Sequence, residues 1–423
     1  MAFDLLVRWR RSRVLADELL DERLEKATLS IADRALATEL FYGCLRNRLA
    51  LEHLLSQVSV HKPRTPVATI LQLGLYQIFF LNRIPAHAAV HESVELAKRH
   101  ASTAEAKFVN AALRRASSER DGLAAKLRAT LDSEPWIYHS HPRWLWERWQ
   151  SRLGRQEALA LCEWNNTVPP VYVRLNTLKV TSPLGADFIR DYSRSRFGIA
   201  PANHDLCFRV NDPAGLFDSP AWKGGEFYVQ DPSTLLAVDV LDPRPGETVL
   251  DLCAAPGGKT TYIAQKMENR GEIVAADSSS SRLGLVGENC RRLGVKIVST
   301  IACEGTRLDR CLRRTGFDRV LVDAPCSNTG VLRRRADLRW RLDEKEIERL
   351  AALQFNLLGA ASHFTGTGGT VVYSTCSLEP EENERVVERF CEAHPQFTLE
   401  TTRSTFPPRD GVDGAFVARF RCR

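Results

Sequence analysis

From about residue 231 onward, four short apolar runs alternate with segments of helical periodicity. The runs are VLDL, EIVAAD, FDRVLVDAP and GTVVYS, and one helical segment between them is the leucine-rich stretch 350–361. Continuous apolar runs of this kind are typical of parallel strands that helices cover on both faces. The sequence therefore predicts an α/β, doubly wound (Rossmann-like) domain over 231–423, with its ligands at the carboxyl ends of the strands.

The first 140 residues have helical periodicity almost throughout. Ser30 and Asp33 have the spacing of a capped helix start, Pro66 opens a second apolar helix, and Pro85 follows its end. We therefore predict an all-α domain over 1–140.

Residues 141–230 differ in composition from both neighbours. Their segment PPVYVRLNTLKV alternates like a short strand, and we predict a small α/β linker domain here. Four tryptophans surround its start, and we expect them to pack at the domain junction rather than to stack on nucleic-acid bases. They are Trp136, Trp144, Trp146 and Trp149.

Composition and net charge limit the cellular location of the protein and the classes of partner that it can bind. A net charge of +6 and a pI near 8.8 permit an RNA partner without requiring one. No apolar run approaches the roughly 20 residues of a membrane-spanning helix, and the N-terminus lacks the apolar core of a secretory signal. We therefore expect a cytoplasmic protein with no membrane partner, whose 11 cysteines are reduced. No cysteine or histidine spacing suggests a metal, and nothing demands a dimer, so we expect a monomer.

A glycine-containing turn, DLCAAPGGKT, follows the first predicted strand. Gly257 and Gly258 allow a close approach of backbone to a ligand, and the amides of the following helix favour a carboxylate. The turn is neither GxGxxG nor a Walker loop, which disfavours dinucleotides and ATP. Asp277 ends the next strand, where a carboxylate can accept hydrogen bonds from ribose hydroxyls.

Two later strands run directly into cysteines. The first is VLVDAPCSNTG, with Asp323 and Cys326, and the second is GTVVYSTCSLEPEENE, with Cys376 and an acidic helix start at Glu381 and Glu382. One cysteine near a strand end is usually a core residue. Two cysteines that are both predicted to lie beside the glycine-containing turn indicate a function rather than core packing.

DLCAAPGGKT, DAPCS-x-TG and YSTCSLEPEENE occur in the order found in the Nol1/Nop2/Sun (Fmu) family of RNA cytosine-5 methyltransferases, which the chain resembles. FYVQDPSTLLA and DGVDGAFVARF extend the resemblance toward both ends of the domain. Near the N-terminus, segment 82–115 is similar to the NusB family, an all-helical RNA-binding fold. The resemblance implies a class I methyltransferase domain, the cofactor S-adenosyl-L-methionine, and small-subunit (16S) ribosomal RNA as partner, with the loop cytosine conventionally numbered 967 as target.

The resemblance also implies roles for individual residues. Carbon 5 of cytosine attacks a methyl group poorly unless a thiolate first adds to carbon 6, and Cys376 would be that nucleophile. Cys326 would take part in releasing the product, Asp323 would hydrogen-bond N3 and the exocyclic amine, and Lys259 would hold the same face of the base. The expected cofactor contacts are Cys253, Ala254, Ala255, Pro256, Gly257, Gly258, Lys259, Asp277, Glu304 and Asp323.

A run of arginines follows Cys326 and could bind RNA phosphates, although a run of charged residues is often only a solvent-exposed surface. Its members are Arg333, Arg334, Arg335 and Arg339. Three positions depart from the family pattern: Asn328 replaces a small residue, Glu304 stands where an Asp is usual, and the turn after Asp277 is the serine run 278–281.

Three other interpretations stay open. The enzyme could methylate another RNA. A DNA cytosine-5 methyltransferase would use the Pro325–Cys326 pair, but the second cysteine and the NusB-like segment argue against it. A ribosome-assembly factor without catalysis could also retain the fold, but the full set of chemical groups argues for an enzyme.

Overall fold

A computed structural model describes residues 1–180 and 197–423, which form two compact units. Unit 1 comprises Met1–Val168 and Leu332–Arg341, and unit 2 comprises Pro169–Val331 and Leu342–Arg423. The boundary predicted at residue 140 therefore lies inside unit 1, and the one predicted at residue 230 lies inside unit 2. Part of the predicted linker domain, residues 181–196, lies outside the described residues.

Unit 1 is helical, and the all-α fold predicted for the N-terminal residues is confirmed. Its helices are α1 Ala2–Arg11, α2 Ala16–Glu25, α3 Ile31–Arg46, α4 Arg48–Val58, α5 Thr65–Phe80, α6 Ala86–His100, α7 Thr103–Ser118, α8 Arg120–Ser133, α9 Pro135–Tyr138, α10 Arg143–Leu153 and α11 Arg155–Asn166. The core surrounds α5, which buries residues on nearly every face.

The helix boundaries follow from local chemistry. Ser30 caps α3 by accepting a hydrogen bond from the Asp33 amide at 3.1 Å. Ser102 and Glu105 form a reciprocal capping box at the start of α7, an arrangement that contributes about 1 kcal/mol. Pro66 is the second residue of α5, and Pro85 immediately precedes α6. Trp146 and Trp149 are fully buried, as expected of packing residues.

The segment Leu332–Arg341 is part of unit 1, although its neighbours in sequence belong to unit 2. Arg339 is fully buried and donates hydrogen bonds to the carbonyl oxygens of Ser140 (3.1 Å) and Asn165 (2.9 Å) and to Oδ1 of Asn166 (2.8 Å). This guanidinium therefore satisfies backbone oxygens at the ends of α9 and α11.

Two more side chains fix the same segment. The indole Nε1 of Trp340 donates to the carbonyl oxygen of Leu45 at 2.7 Å. The buried carboxylate of Asp337 accepts a hydrogen bond from the amide of Ala16 at 3.1 Å. Because buried backbone groups require partners, the segment completes the helical unit.

Unit 2 begins with a small antiparallel sheet in the order β2-β3-β1-β4. Its strands are β1 Val171–Leu175, β2 Ile199–Pro201, β3 Cys207–Val210 and β4 Phe227–Val229. The strand predicted within PPVYVRLNTLKV is therefore confirmed as β1. The short helices α12 Pro220–Gly224 and α13 Leu236–Leu241 follow β3 and β4.

A seven-stranded sheet, in the order β10-β11-β9-β8-β5-β6-β7, forms the centre of unit 2. Its strands are β5 Thr248–Leu252, β6 Glu272–Asp277, β7 Val298–Ala302, β8 Phe317–Asp323, β9 Thr365–Thr375, β10 Phe397–Thr405 and β11 Ala415–Cys422. The helices are α14 Gly258–Lys266, α15 Ser280–Leu293, α16 Glu344–Ser362, α17 Glu384–Ala393 and α18 Pro407–Asp410.

The predicted doubly wound fold is confirmed, but the sheet is mixed rather than wholly parallel. Strands β5 to β9 are parallel, whereas β11 runs antiparallel to both β9 and β10. The short connection through α18 returns the chain beside β10, which only an antiparallel pair permits. Helices α13, α14 and α15 cover one face of the sheet, and α16 and α17 cover the other.

The expectation that all eleven cysteines are reduced is wrong for one pair. Cys303 and Cys311 form a disulfide, with their Cα atoms 6.3 Å apart. Both flank the turn Gly305–Arg310 after β7. The turn folds the chain back on itself and so brings together two residues that the sequence separates by eight positions.

We predict that Arg339→Ala loosens unit 1. The substitution leaves buried carbonyl oxygens without a donor, which costs about 3 kcal/mol. Hydrogen exchange of the α11 amides, followed by mass spectrometry on the full chain, should accelerate about 100-fold. The matched control is Arg335→Ala, whose exposed side chain lies 3.6 Å from Asp17 and contributes at most about 1 kcal/mol. Unchanged exchange in α11 of Arg339→Ala would contradict the prediction.

Candidate active site

The carboxyl ends of β5, β6, β8 and β9 meet at one edge of the large sheet, because these strands are parallel. The loops that leave this edge carry the sequence motifs: the glycine turn follows β5, Asp323 ends β8, and Cys376 follows β9. The fold therefore gathers chemical groups that are far apart in the sequence.

The glycine turn after β5 is shaped for close backbone contact. Gly257 has a φ of +100°, and a Cβ there would lie 3.1 Å from the Cα of Val286. Helix α14 starts directly afterwards at Gly258, so its free amides face the carboxyl edge of the sheet.

Asp277 is buried and fixes this turn. One carboxylate oxygen accepts a hydrogen bond from the amide of Ala255 (3.1 Å), and the other accepts one from the amide of Ser279 (2.9 Å). Each oxygen keeps a further lone pair, so the carboxylate could still accept hydrogen bonds from ribose hydroxyls. Ser279, in the serine run, caps α15 by accepting a hydrogen bond from the amide of Arg282 at 3.3 Å.

Asp251 is a site residue that the sequence reasoning missed. Its Oδ2 accepts a hydrogen bond from Thr260 Oγ1 at 2.6 Å. Its Oδ1 is buried and has no hydrogen-bond partner within the described part of the chain. Burial raises the pKa of Asp251 to about 7. The available signal was an acidic residue inside the apolar run VLDL.

These groups fit S-adenosylmethionine, which carries a carboxylate, a ribose and two cationic centres. The helix start at Gly258 offers amides to the carboxylate, Asp277 has acceptor capacity for the ribose, and the unpartnered Oδ1 of Asp251 suits a cation.

Asp323 has a partner on each oxygen. Lys259 Nζ donates to Oδ2 at 2.7 Å, and Ser374 Oγ donates to Oδ1 at 2.7 Å. Burial disfavours the charged ammonium of Lys259, but the charge of Asp323 outweighs it, and the pKa of Lys259 is raised. The sequence reasoning did not single out Ser374, which lies opposite Asp323 in the β8–β9 ladder.

The two cysteines lie side by side, with their sulfur atoms 3.2 Å apart. Both side chains are half-buried. The hydrogen bond to Cys376, together with burial, raises the pKa of Cys326 well above its ordinary value. Cys326 is therefore a neutral thiol near pH 7 and can donate its proton toward the sulfur of Cys376.

Asn328, the first departure from the family pattern, contacts both cysteines. Its Nδ2 donates to the carbonyl oxygen of Cys326 at 2.6 Å, and its Oδ1 lies 3.2 Å from the sulfur of Cys376. Asn328 adopts a φ of +60°, a left-handed conformation that Asn tolerates better than most residues. The departure thus adds a polar contact to Cys376.

Glu304, the second departure, is exposed at the end of β7 and lies 3.5 Å from Arg307. It precedes the turn that the Cys303–Cys311 disulfide closes. Its predicted contact with adenine stays a prediction.

The arginine run is divided between buried and exposed positions. Arg333 and Arg339 are 3% and 0% exposed, and the guanidinium of Arg333 lies 3.9 Å from the ring centre of Trp164. The phosphate contacts predicted for these two residues do not fit this arrangement, because their side chains are enclosed in unit 1. Arg335 is exposed and Arg334 half-buried, and their RNA contact stays a prediction.

Three family models match the chain. Residues 238–421 match the 16S rRNA methyltransferase RsmB/F model, residues 1–118 match the NusB family, and residues 141–183 match a ferredoxin-like domain of RsmF/B-like methyltransferases. The ribosomal RNA small subunit methyltransferase B of Erwinia tasmaniensis is 35% identical over 413 residues, which cover 95% of this chain and 94% of that protein. The chain belongs to the ribosomal RNA small subunit methyltransferase B family.

Solved structures agree with this assignment. The crystal structure of a protein designated PH0851 has a TM-score of 0.81 at 25% identity and covers 99% of this chain and 97% of its own. NSun6 from Pyrococcus horikoshii, crystallised with the cofactor analogue SFG, has a TM-score of 0.59 at 25% identity and covers 66% of this chain and 98% of its own. The family resemblance and the cofactor, S-adenosylmethionine, are confirmed. Over the described ranges, no helix is both long and apolar enough to cross a membrane.

We predict that Asp251 makes stability depend on pH in the ligand-free protein. Its pKa is about 7 in the folded chain, against 3.8 for an ordinary Asp. The stabilisation gained by holding this proton is therefore fully present below about pH 4 and is lost as the pH rises through 7. One pKa unit corresponds to about 1.4 kcal/mol, so the free energy of unfolding relative to Asp251→Asn should fall by up to about 4 kcal/mol. Urea denaturation across this range measures it; a constant difference would refute the prediction.

Proposed function

We propose that the protein transfers a methyl group from S-adenosylmethionine to carbon 5 of a cytosine in 16S ribosomal RNA. The observation that carries this proposal is the pair of sulfur atoms of Cys326 and Cys376, 3.2 Å apart and beside the cofactor loop. Two adjacent cysteines suit a reaction in which one sulfur bonds covalently to the base and a proton must later leave. The acid–lysine pair of Asp323 and Lys259 lies at the same edge of the sheet.

Cys376 is the proposed nucleophile. Its thiolate adds to carbon 6 of the ring, a carbon–sulfur bond forms, and the electron pair of the former C5–C6 double bond makes carbon 5 nucleophilic. When bound, S-adenosylmethionine supplies the electrophilic methyl group that carbon 5 requires. Cys326, as a neutral thiol, can donate a hydrogen bond that stabilises the Cys376 thiolate before the addition.

Asp323 and Lys259 are proposed to hold the base. A carboxylate can accept a hydrogen bond from the exocyclic amine, and the proton shared by carboxylate and ammonium can support N3 as negative charge develops there. Both oxygens of Asp323 are oriented by neighbours, Lys259 on one side and Ser374 on the other. The pair is therefore organised before the base arrives.

Release requires the proton of carbon 5 to leave. As the C5–H bond breaks, its electrons restore the C5–C6 double bond, and the bond between carbon 6 and the sulfur of Cys376 breaks. We assign Cys326 the proton transfer, because its sulfur is adjacent to that of Cys376: the sulfur of Cys326 accepts the carbon 5 proton, while the proton of its own thiol passes to the departing sulfur of Cys376.

The names of its relatives, together with the NusB model over residues 1–118, support 16S ribosomal RNA as substrate and the helical residues as an RNA-docking domain. The base must be unstacked to reach the cysteines, which favours a loop position, and we propose the cytosine conventionally numbered 967. Another RNA cytosine is the second candidate. That the protein is a cytoplasmic monomer without a DNA partner stays a prediction.

Covalent trapping tests the nucleophile. A small-subunit RNA fragment with 5-fluorocytosine at the target should form a stable adduct with the wild-type protein and S-adenosylmethionine, because fluorine cannot leave as a proton does. Cys376→Ala should form no adduct, whereas Cys326→Ala should still form one with unmodified RNA, because only its release is impaired. Denaturing gels detect the adduct. An adduct that persists in Cys376→Ala would reject the assignment.

The substrate is tested in cells. Bisulfite sequencing of ribosomal RNA should find one protected small-subunit cytosine when the gene is intact, and protection should vanish on deletion or in Cys376→Ala, because methylation of carbon 5 blocks deamination. If protection of this cytosine persists in both strains, the substrate is a different RNA or the protein is not catalytic.

A further inference from the structure

Glu382 is a fully buried carboxylate that the proposed reaction does not use. It lies between β9 and α17, in the acidic stretch that follows Cys376. Burying a carboxylate without partners costs several kcal/mol, so its surroundings must compensate.

The two carboxylate oxygens of Glu382 accept hydrogen bonds from four donors. Oε1 accepts from the amide of Ser327 (2.8 Å) and from Nε2 of Gln354 (2.9 Å). Oε2 accepts from the hydroxyls of Ser327 and of Ser377, the latter at 2.5 Å. Burial raises the pKa of Glu382, and these donors oppose that rise because each favours the ionised form.

The two serines are the residues directly after the two cysteines. Ser327 follows Cys326, Ser377 follows Cys376, and their hydroxyl oxygens are 3.0 Å apart. One carboxylate therefore joins the two loops at equivalent positions. Consecutive Cα atoms are about 3.8 Å apart. Hydrogen bonds that fix the two serines therefore also restrict the positions of the neighbouring cysteine sulfur atoms.

The same network fixes the residues on the other side of each cysteine. Gln354 also donates to the carbonyl oxygen of Pro325 at 2.9 Å. Thr375 donates to Oδ1 of Asn383 (2.6 Å), whose Nδ2 donates to the carbonyl oxygen of Ser377 (2.9 Å). Each cysteine is thus flanked by two anchored residues.

A close backbone contact completes the arrangement. The amide of Gly330 donates to the carbonyl oxygen of Cys376 at 2.9 Å, and the amide of Gly414 donates to the carbonyl oxygen of Gly330 at 2.8 Å. A Cβ on Gly330 would lie 2.7 Å from the Cys376 oxygen. The loops can pair here only because glycine has no side chain.

We propose that Glu382 is a positioning residue that links the loops of Cys326 and Cys376 and holds their sulfur atoms side by side. The inference deepens the proposed function and rests on it for the meaning of the two cysteines. The titratable groups around Cys326 are Cys376, Glu382 and Tyr373, and Lys259 interacts with Cys376. Glu382 acts on the thiol equilibrium of Cys326 as a nearby negative charge.

The test is Glu382→Gln in the full chain, with Glu381→Gln as the matched control. Gln preserves the size and one acceptor but removes the charge, and Glu381 is the neighbouring residue whose carboxylate pairs with Arg385 at 3.1 Å. The readout is iodoacetamide alkylation of Cys326 from pH 6 to 10, resolved by peptide mass spectrometry. Only the thiolate reacts, so the rate reports the ionised fraction.

We expect the Cys326 profile of Glu382→Gln to move to lower pH by about one unit, which makes alkylation at pH 8 about tenfold faster. Glu381→Gln should retain the wild-type profile. A folded Glu382→Gln protein with the wild-type profile would overturn the proposal. If Glu382→Gln does not fold, Glu382→Asp replaces it: the shorter side chain withdraws the negative charge from Cys326 and should move the profile in the same direction by a smaller amount, and an unchanged profile would again overturn the proposal.

The alkylation needs no RNA, so its result is independent of the proposed function. If wild-type protein forms no adduct with 5-fluorocytosine RNA but the Cys326 profile shifts as expected, the cytosine reaction fails and the positioning role stands. If adducts form but the profile is unchanged, the cytosine reaction stands and the positioning role fails.

Discussion

The site depends on the parallel register of β5, β8 and β9. Leu252 pairs with Val322, and Asp323 pairs with Ser374, so the three strands end at one level. This alignment lets one carboxylate, Asp323, accept hydrogen bonds from the next strand and from the first turn of α14 at once. A one-residue slip would turn every side chain of the strand to the other face of the sheet and would separate these partners.

Three acids at this edge, two of them fully buried and one half-buried, have three different kinds of partner. Asp323 pairs with the ammonium of Lys259. Glu382 is solvated by neutral donors, the amide of Ser327 and the side chains around it. Asp251 has one donor, and burial raises its pKa to about 7. Because an unpaired buried charge is costly, each acid has its own form of compensation: Asp323 has a lysine partner, Glu382 has several hydrogen-bond donors, and Asp251 holds its proton up to a pH of about 7.

Local patterns predicted the strands, the glycine turn and the acids and cysteines at strand ends, because each of these features lies within a few consecutive residues. The partners of those groups were not predictable. Ser374 and Glu382 acquire meaning only through contacts with Asp323 and Ser327, which lie on a different strand or loop. Arg339 is a further example. A charged residue in a basic run is expected to be exposed, and only the tertiary structure shows that it is buried against the carbonyl oxygens of Ser140 and Asn165. The Cys303–Cys311 disulfide was likewise not predictable from the sequence, because it forms only when the intervening turn brings the two cysteines together.

The segment Leu332–Arg341 makes the two units inseparable as contiguous pieces of sequence. A fragment cut after residue 168 would leave the helical unit without the guanidinium and indole that satisfy its backbone oxygens. The complementary fragment would carry Arg339 and Trp340, 13 and 14 residues after Cys326, without the backbone oxygens that accept their hydrogen bonds. Separate expression of the helical unit would therefore have to carry the segment Leu332–Arg341 together with residues 1–168, which no contiguous fragment free of unit 2 can do.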